Sequence, residues 1–309
     1  MLALEVRRFW PRLTGRAHAV ECAAFLPPPT PLPHGSALHS HIIRARRRNP
    51  RHRLRHLLVG RLRRDRRDRK VGYRHIDTAW KYGTEPGVGE GMRVSGVSRS
   101  EIFLTTKVSH EFLRADDFAR SVDESLKTLG VDFVDLLLVH WPNPEIPLSE
   151  PIPALARAKR QGLTRHIGVA NFNIAMLDEA IRLCPEPLVN LQAEYHAHLD
   201  QTKLIEACRR RGLIFTAYCP LGRGRLLRDP VLADIAARKG RPLAQIALRW
   251  LVQQGNIIPI PRSSNPARMA ENLGVFDFAL SEEEMKRIAA LKRPDSRIAD
   301  PVGRAPAWD

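Results

Sequence analysis

From residue 73 onward the chain alternates two kinds of apolar pattern. Short runs rich in β-branched and aliphatic side chains predict strands at 73–77, 103–107, 134–140, 164–169, 188–194, 213–217 and 257–261. Between them apolar residues recur three and four apart, predicting helices over 118–129, 152–161, 174–183, 203–211 and 243–253. A parallel strand has to be reached by a crossover, so this alternation predicts a parallel sheet with helices packed against it. After the last strand, Asn265 before Pro266 suits a helix start, and Ser281 with Glu284 forms a capping box, so two helices should close the chain.

Seven βα units are visible where a closed (β/α)8 TIM barrel needs eight, so the expected fold is that barrel with its first βα unit missing or replaced. The expected division is an atypical basic N-terminal segment, 1–70, disordered or a frame artefact, followed by the barrel, 71–309. Residues 1–70 hold a proline cluster at 27–33 and an arginine-dense tract at 44–69, and they lack the alternation of a buried strand. This segment also carries most of the net charge of +17. It holds 18 of the 50 basic residues and 4 of the 33 acidic ones, which leaves residues 71–309 at +3. Three origins compete for it. A transit peptide would have more serines, and a nucleic-acid arm would have more aromatics to stack on bases. A shifted reading frame or misplaced start is the favoured origin, because arginine and proline abundance is what a wrong frame of a GC-rich gene gives.

A chain of 309 residues with 43% apolar content can bury one large barrel. The cysteines, Cys22, Cys184, Cys208 and Cys219, form no CxxC pair and no zinc spacing, so neither disulfides nor a metal is expected, and a reducing cytoplasm fits. No apolar run is long enough for a membrane span. The stretch 17–26 is short and carries Glu21, so no secretory signal is expected.

Ionisable side chains gather at the carboxyl ends of three successive predicted strands: Asp77 and Tyr82 after the first, Lys107 at the second, His140 at the third. That end is the active face of a parallel barrel. Singly, each has an ordinary explanation, since a strand-end aspartate caps a loop, a tyrosine packs, a lysine solvates and a histidine is hydrogen-bonded in the core. Together they make a proton-donor site. An ammonium beside a phenol favours the phenolate and lowers the tyrosine pKa, while a carboxylate keeps the ammonium charged and oriented.

The segments Gly72-Tyr-Arg-His-Ile-Asp77-Thr-Ala, Tyr82-Gly83, Thr105-Thr-Lys107, Asp135-Leu-Leu-Leu-Val-His140-Trp-Pro and Gly168-Val-Ala-Asn-Phe172 follow one another on those strand ends. In this the chain, from about residue 71 onward, resembles the aldo-keto reductases, closest to bacterial members such as the 2,5-diketo-D-gluconate reductases. The closing Arg297-Ile-Ala-Asp-Pro and Ala305-Pro-Ala-Trp-Asp309 belong to the likeness. It implies a catalytic tetrad of Asp77, Tyr82, Lys107 and His140, and NADPH-dependent reduction of an aldehyde or ketone to an alcohol. Tyr82 would protonate the developing alkoxide and His140 would hydrogen-bond the same oxygen. Trp141 would wall the substrate pocket, or else simply pack under its rim. A small-molecule carbonyl substrate and a monomer are further implications.

The resemblance also implies an amide trio around the nicotinamide carboxamide, matched by Asn171 and Gln192, with Ala170 standing where serine is common. Tyr218, in Ala217-Tyr-Cys-Pro220-Leu221-Gly222, matches the aromatic that stacks on the nicotinamide, and Pro220 and Leu221 continue that cofactor segment. Arg262, Ser263, Ser264 and Arg268 bring hydroxyls, backbone amides and two guanidiniums to a helix start, where a 2′-phosphate would sit, so NADPH should bind better than NADH. Glu271 and Asn272 match adenosine contacts, although by spacing alone they are ordinary helix-surface residues.

Other signals weigh less. The glycines of 87–91 lack the spacing of a dinucleotide fingerprint and read as loop and helix start. Glu194-Tyr-His196-Ala-His198 has no third metal ligand placed by spacing. Arg209, Arg210 and Arg211 at a helix end suit the helix dipole. An alternative reading is a cofactor-binding or catalytically impaired barrel, because residues 1–70 contain no Gly-Thr-Trp segment of the kind that the family's first strand brings to the pocket floor. A third is nucleic-acid binding through the basic tail, against which the near-neutral remainder argues. Substrate identity is set by loops and is not legible here.

Overall fold

The computed structural model describes residues 42–44, 72–263 and 265–309. Eight parallel strands stand in chain order in one sheet: β1 (Ile42–Arg44), β2 (His75–Asp77), β3 (Phe103–Val108), β4 (Val134–Val139), β5 (Thr164–Ala170), β6 (Leu188–Glu194), β7 (Ile214–Tyr218) and β8 (Ile257–Ile260). β8 lies beside β1, so the sheet curls round into a barrel. The first place is taken by β1, which pairs with β2 in the register Ile43↔Ile76. This strand falls inside the segment where the sequence reading expects none, because three residues are too few to show an alternation. The rest of that expectation, on the nature of residues 1–70, lies outside the described residues.

Nine α-helices are described: α1 (Glu85–Ser95), α2 (Ala115–Leu129), α3 (Pro151–Arg160), α4 (Ile174–Leu183), α5 (Thr202–Arg210), α6 (Pro230–Lys239), α7 (Leu243–Gln253), α8 (Pro266–Leu273) and α9 (Glu282–Ala289). The glycine-rich 87–91, read as loop and helix start, lies wholly within α1. Its glycine at 89 serves packing, since a Cβ there would meet the Leu129 carbonyl oxygen of α2 at 2.4 Å. The capping signals act as expected, with Asn265 accepting from the Ala267 amide and Ser281 and Glu284 closing a capping box. α6 has the same kind of start and was not read from the sequence: Asp229 before Pro230 accepts from the Val231 and Leu232 amides.

Helices cover the outer face of the sheet through a continuous apolar core that includes Leu104, Leu137, Ile167, Leu191 and Phe215. Alternate residues face inward and fill the barrel, where Phe103, Leu136, Leu138 and Ala170 form a second cluster. The interior is narrow at Gly168, where a Cβ would lie 2.4 Å from the Asn190 carbonyl oxygen. The barrel is therefore plugged below, and polar groups collect at its carboxyl end.

Candidate active site

Strand-end placement brings the four sequence-selected residues together. Asp77 ends β2, Lys107 lies one residue from the end of β3, His140 follows β4, and Tyr82 closes a one-turn helix, Trp80–Tyr82, just after β2. All four are buried. Lys107 Nζ donates to Asp77 Oδ1 at 2.6 Å and to the Thr78 carbonyl at 2.7 Å, and lies 5.4 Å from the centre of the Tyr82 ring. The other Asp77 oxygen accepts from Gln192 Nε2 at 2.8 Å. A buried ion pair offsets its desolvation only when the remaining lone pairs and protons are engaged, and these two bonds do that. The Tyr82 hydroxyl is 3.3 Å from His140 Nε2, with the two rings edge to face.

Asn171, in left-handed backbone at φ 65°, is held tightly at the end of β5. It donates through Nδ2 to the His140 carbonyl at 2.8 Å and accepts through Oδ1 from the Tyr218 hydroxyl at 2.8 Å. Ala170 beside it is fully buried against Leu138 and offers no side-chain hydrogen bond.

Two adjoining cavities are found here, one of them directly above these groups. One, of about 360 Å³, is lined by Tyr82, His140, Trp141 and Tyr218, and further by Lys81, His110, Arg304 and residues 298–301. Trp141 stands edge-on to Trp308. Lys81 donates to both Glu111 oxygens and holds that carboxyl below its ordinary pKa. Burial, and then the charge of Arg304, push His110 downward, toward the neutral form. The second cavity, of about 630 Å³, is lined by Pro220, Leu221, Arg262, Ser263, Arg268, Glu271 and Asn272 among others. Cys219 and Arg223 line both, so the two adjoin. Ser264 lies outside the described residues.

Sequence reading missed Arg223, in the turn Gly222–Arg228, and gave no role to the C-terminal residues that wall the first cavity. Neither carries a periodic signal, and only the way the chain folds back brings them to the cleft. The His196 and His198 rings stand edge to face 6.3 Å apart, and each pairs with its own carboxylate, His196 with Glu194 at 3.1 Å and His198 with Asp229 at 2.8 Å.

A sequence profile of the Aldo/keto reductase family matches residues 67–293. Methylglyoxal reductase DkgB of Salmonella typhimurium is 39% identical over 243 residues, covering 78% of this chain and 90% of its own length. Among solved structures, a putative 2,5-diketo-D-gluconic acid reductase B superposes with a TM-score of 0.77 at 48% identity, over 78% of this chain and 85% of that one. An aldo-keto reductase of Bombyx mori, in complex with NADP, gives a TM-score of 0.75 at 30% identity, over 87% of this chain and 93% of that one.

Proposed function

This chain belongs to the Aldo/keto reductase family, and from that premise we propose that it is an NADPH-dependent reductase of small aldehydes and ketones with Tyr82 as the proton donor. The carrying observation is that Tyr82 and His140 line one cavity side by side, with the buried Asp77–Lys107 ion pair behind the phenol. The second cavity fits a dinucleotide phosphate, since Arg262 and Arg268 flank the start of α8, where a helix N-terminus favours an anion. Arg262, Ser263 and Arg268 would hold the 2′-phosphate, Glu271 and Asn272 the adenosine, and Tyr218, Asn171 and Gln192 the nicotinamide end.

When bound, the cofactor supplies the hydride that reaches the carbonyl carbon. Tyr82 gives its proton to the oxygen as negative charge develops there, and His140, beside the phenol, offers a second donor to that oxygen. The ammonium of Lys107, fixed by Asp77, favours the phenolate that remains. Asp77 is fixed in turn by Gln192, so the proton donor is oriented before substrate arrives. Trp141 provides apolar surface for the rest of the substrate, with Trp308 packed edge-on behind it.

Methylglyoxal, the substrate in the name of the Salmonella relative, is the first compound to test. Oxidation of NADPH is followed by its absorbance with wild type and Tyr82→Phe. The variant should lose about a thousandfold in kcat, within the range for removal of a general acid, and still bind NADPH. Turnover by folded Tyr82→Phe at the wild-type rate would exclude the phenol as donor.

A further inference from the structure

Glu194 ends β6 on the same face as Gln192, two residues before it, and is fully buried. Gln192 reaches Asp77, whereas Glu194 reaches a segment more than a hundred residues further along the chain. Its Oε1 accepts from the Ile298 amide at 2.8 Å and its Oε2 from the Ala299 amide at 2.7 Å. Consecutive backbone amides turned to one side form a concavity suited to an anion, and here the anion is a side chain of the barrel. His196 Nε2, 3.1 Å from Oε1, stands as a further donor. The His196 ring lies beneath Gly222, where the turn lining the cofactor cavity begins.

The gripped residues matter because Ile298, Ala299, Asp300, Pro301 and Arg304 wall the cavity into which Tyr82 and His140 open. On one side of the grip this segment is tied at Arg293, whose amide donates to the His198 carbonyl and whose guanidinium pairs with Asp229. On the other, Asn173 donates to the Ala307 carbonyl and Asp309 accepts from the Ile174 amide. The Glu194 carboxylate is the anchor between these ties, at the cavity itself.

We propose that Glu194 is a positioning residue for substrate: by holding the Ile298 and Ala299 amides it sets the C-terminal wall of the carbonyl pocket. It touches neither the tetrad nor the phosphate cradle. Its loss therefore weakens substrate binding and leaves the chemical step in place. This rests on the carbonyl-reductase reading for its kinetic half alone.

Two measurements test it. In unliganded wild type, amide exchange read by NMR should be about a hundredfold slower at Ile298 and Ala299 than at the exposed Val302 and Gly303, because a gripped amide exchanges only when the segment opens. In Glu194→Gln, the amide side chain turns an N–H toward one of the two donors. KM for the carbonyl substrate should rise about tenfold, with kcat at saturating NADPH changed less than about twofold. Glu194→Asp, which keeps both acceptor oxygens, should recover part of the KM. Unprotected amides at Ile298 and Ala299 in wild type overturn the proposal, whether or not the Gln variant folds. So does a folded Glu194→Gln with wild-type KM, or one whose loss falls on kcat. Wild type that reduces no carbonyl compound yet protects those amides would instead count against the reductase reading.

Discussion

At the scale of single residues, burial decides which groups hold charge. His75 packs edge-on against Phe103 inside the barrel, with Nε2 3.0 Å from Thr105 Oγ1. Burial first, and the nearby Lys107 charge second, lower its pKa from 6.5 to about 3. The unfolded chain takes up this proton at a higher pH than the folded one. His75 therefore costs nothing above pH 6.5, and stability falls as pH drops from there toward 3, by about 1.4 kcal/mol per pH unit. Urea unfolding at pH 7 and pH 5 should show wild type losing about 2 kcal/mol more between the two than His75→Asn does. An equal loss in both would show that the imidazole is not what titrates. The sequence placed Asp77, Lys107 and His140 at the strand ends but gave no sign that His75 is held neutral, because that depends on neighbours brought in by other strands.

Elements were legible where their signal is local. The seven sequence-read strands and five crossover helices recur within a few residues of the places expected from periodicity. α1 was obscured because its glycines, poor helix formers, are kept for a tertiary reason: Gly89 lets α1 approach the end of α2. Gly89→Ala should destabilise the fold by about 1–3 kcal/mol, as overpacking against rigid backbone does, and a lowered urea midpoint with unchanged m-value would report it. At the start of α8, Arg268→Ala should cut the preference for NADPH over NADH by about tenfold, read from the ratio of kcat/KM values, since one charge-assisted contact to phosphate is lost. An unchanged ratio would move the 2′-phosphate elsewhere.

For the whole molecule, what matters is whether the sheet closes. β1 pairs with β2 and lies beside β8, so a chain begun at Gly72 would leave β2 with an unpaired edge and β8 without its neighbour. That shortened chain should aggregate at concentrations where the full chain does not, as light scattering would register; a soluble, active shortened chain would mean that β1 is dispensable. Sequence alone determined the alternation of strand and helix, the parallel sheet it entails, and the strand-end location of Asp77, Lys107 and His140, because period and turn chemistry act over a few neighbouring residues. Tertiary structure alone decided that Gln192 orients Asp77, that Arg223 borders two cavities, and that Glu194 holds amides 104 and 105 residues away. Contacts at that separation arise only when the barrel curls and the chain end returns over its mouth, and no local pattern records them.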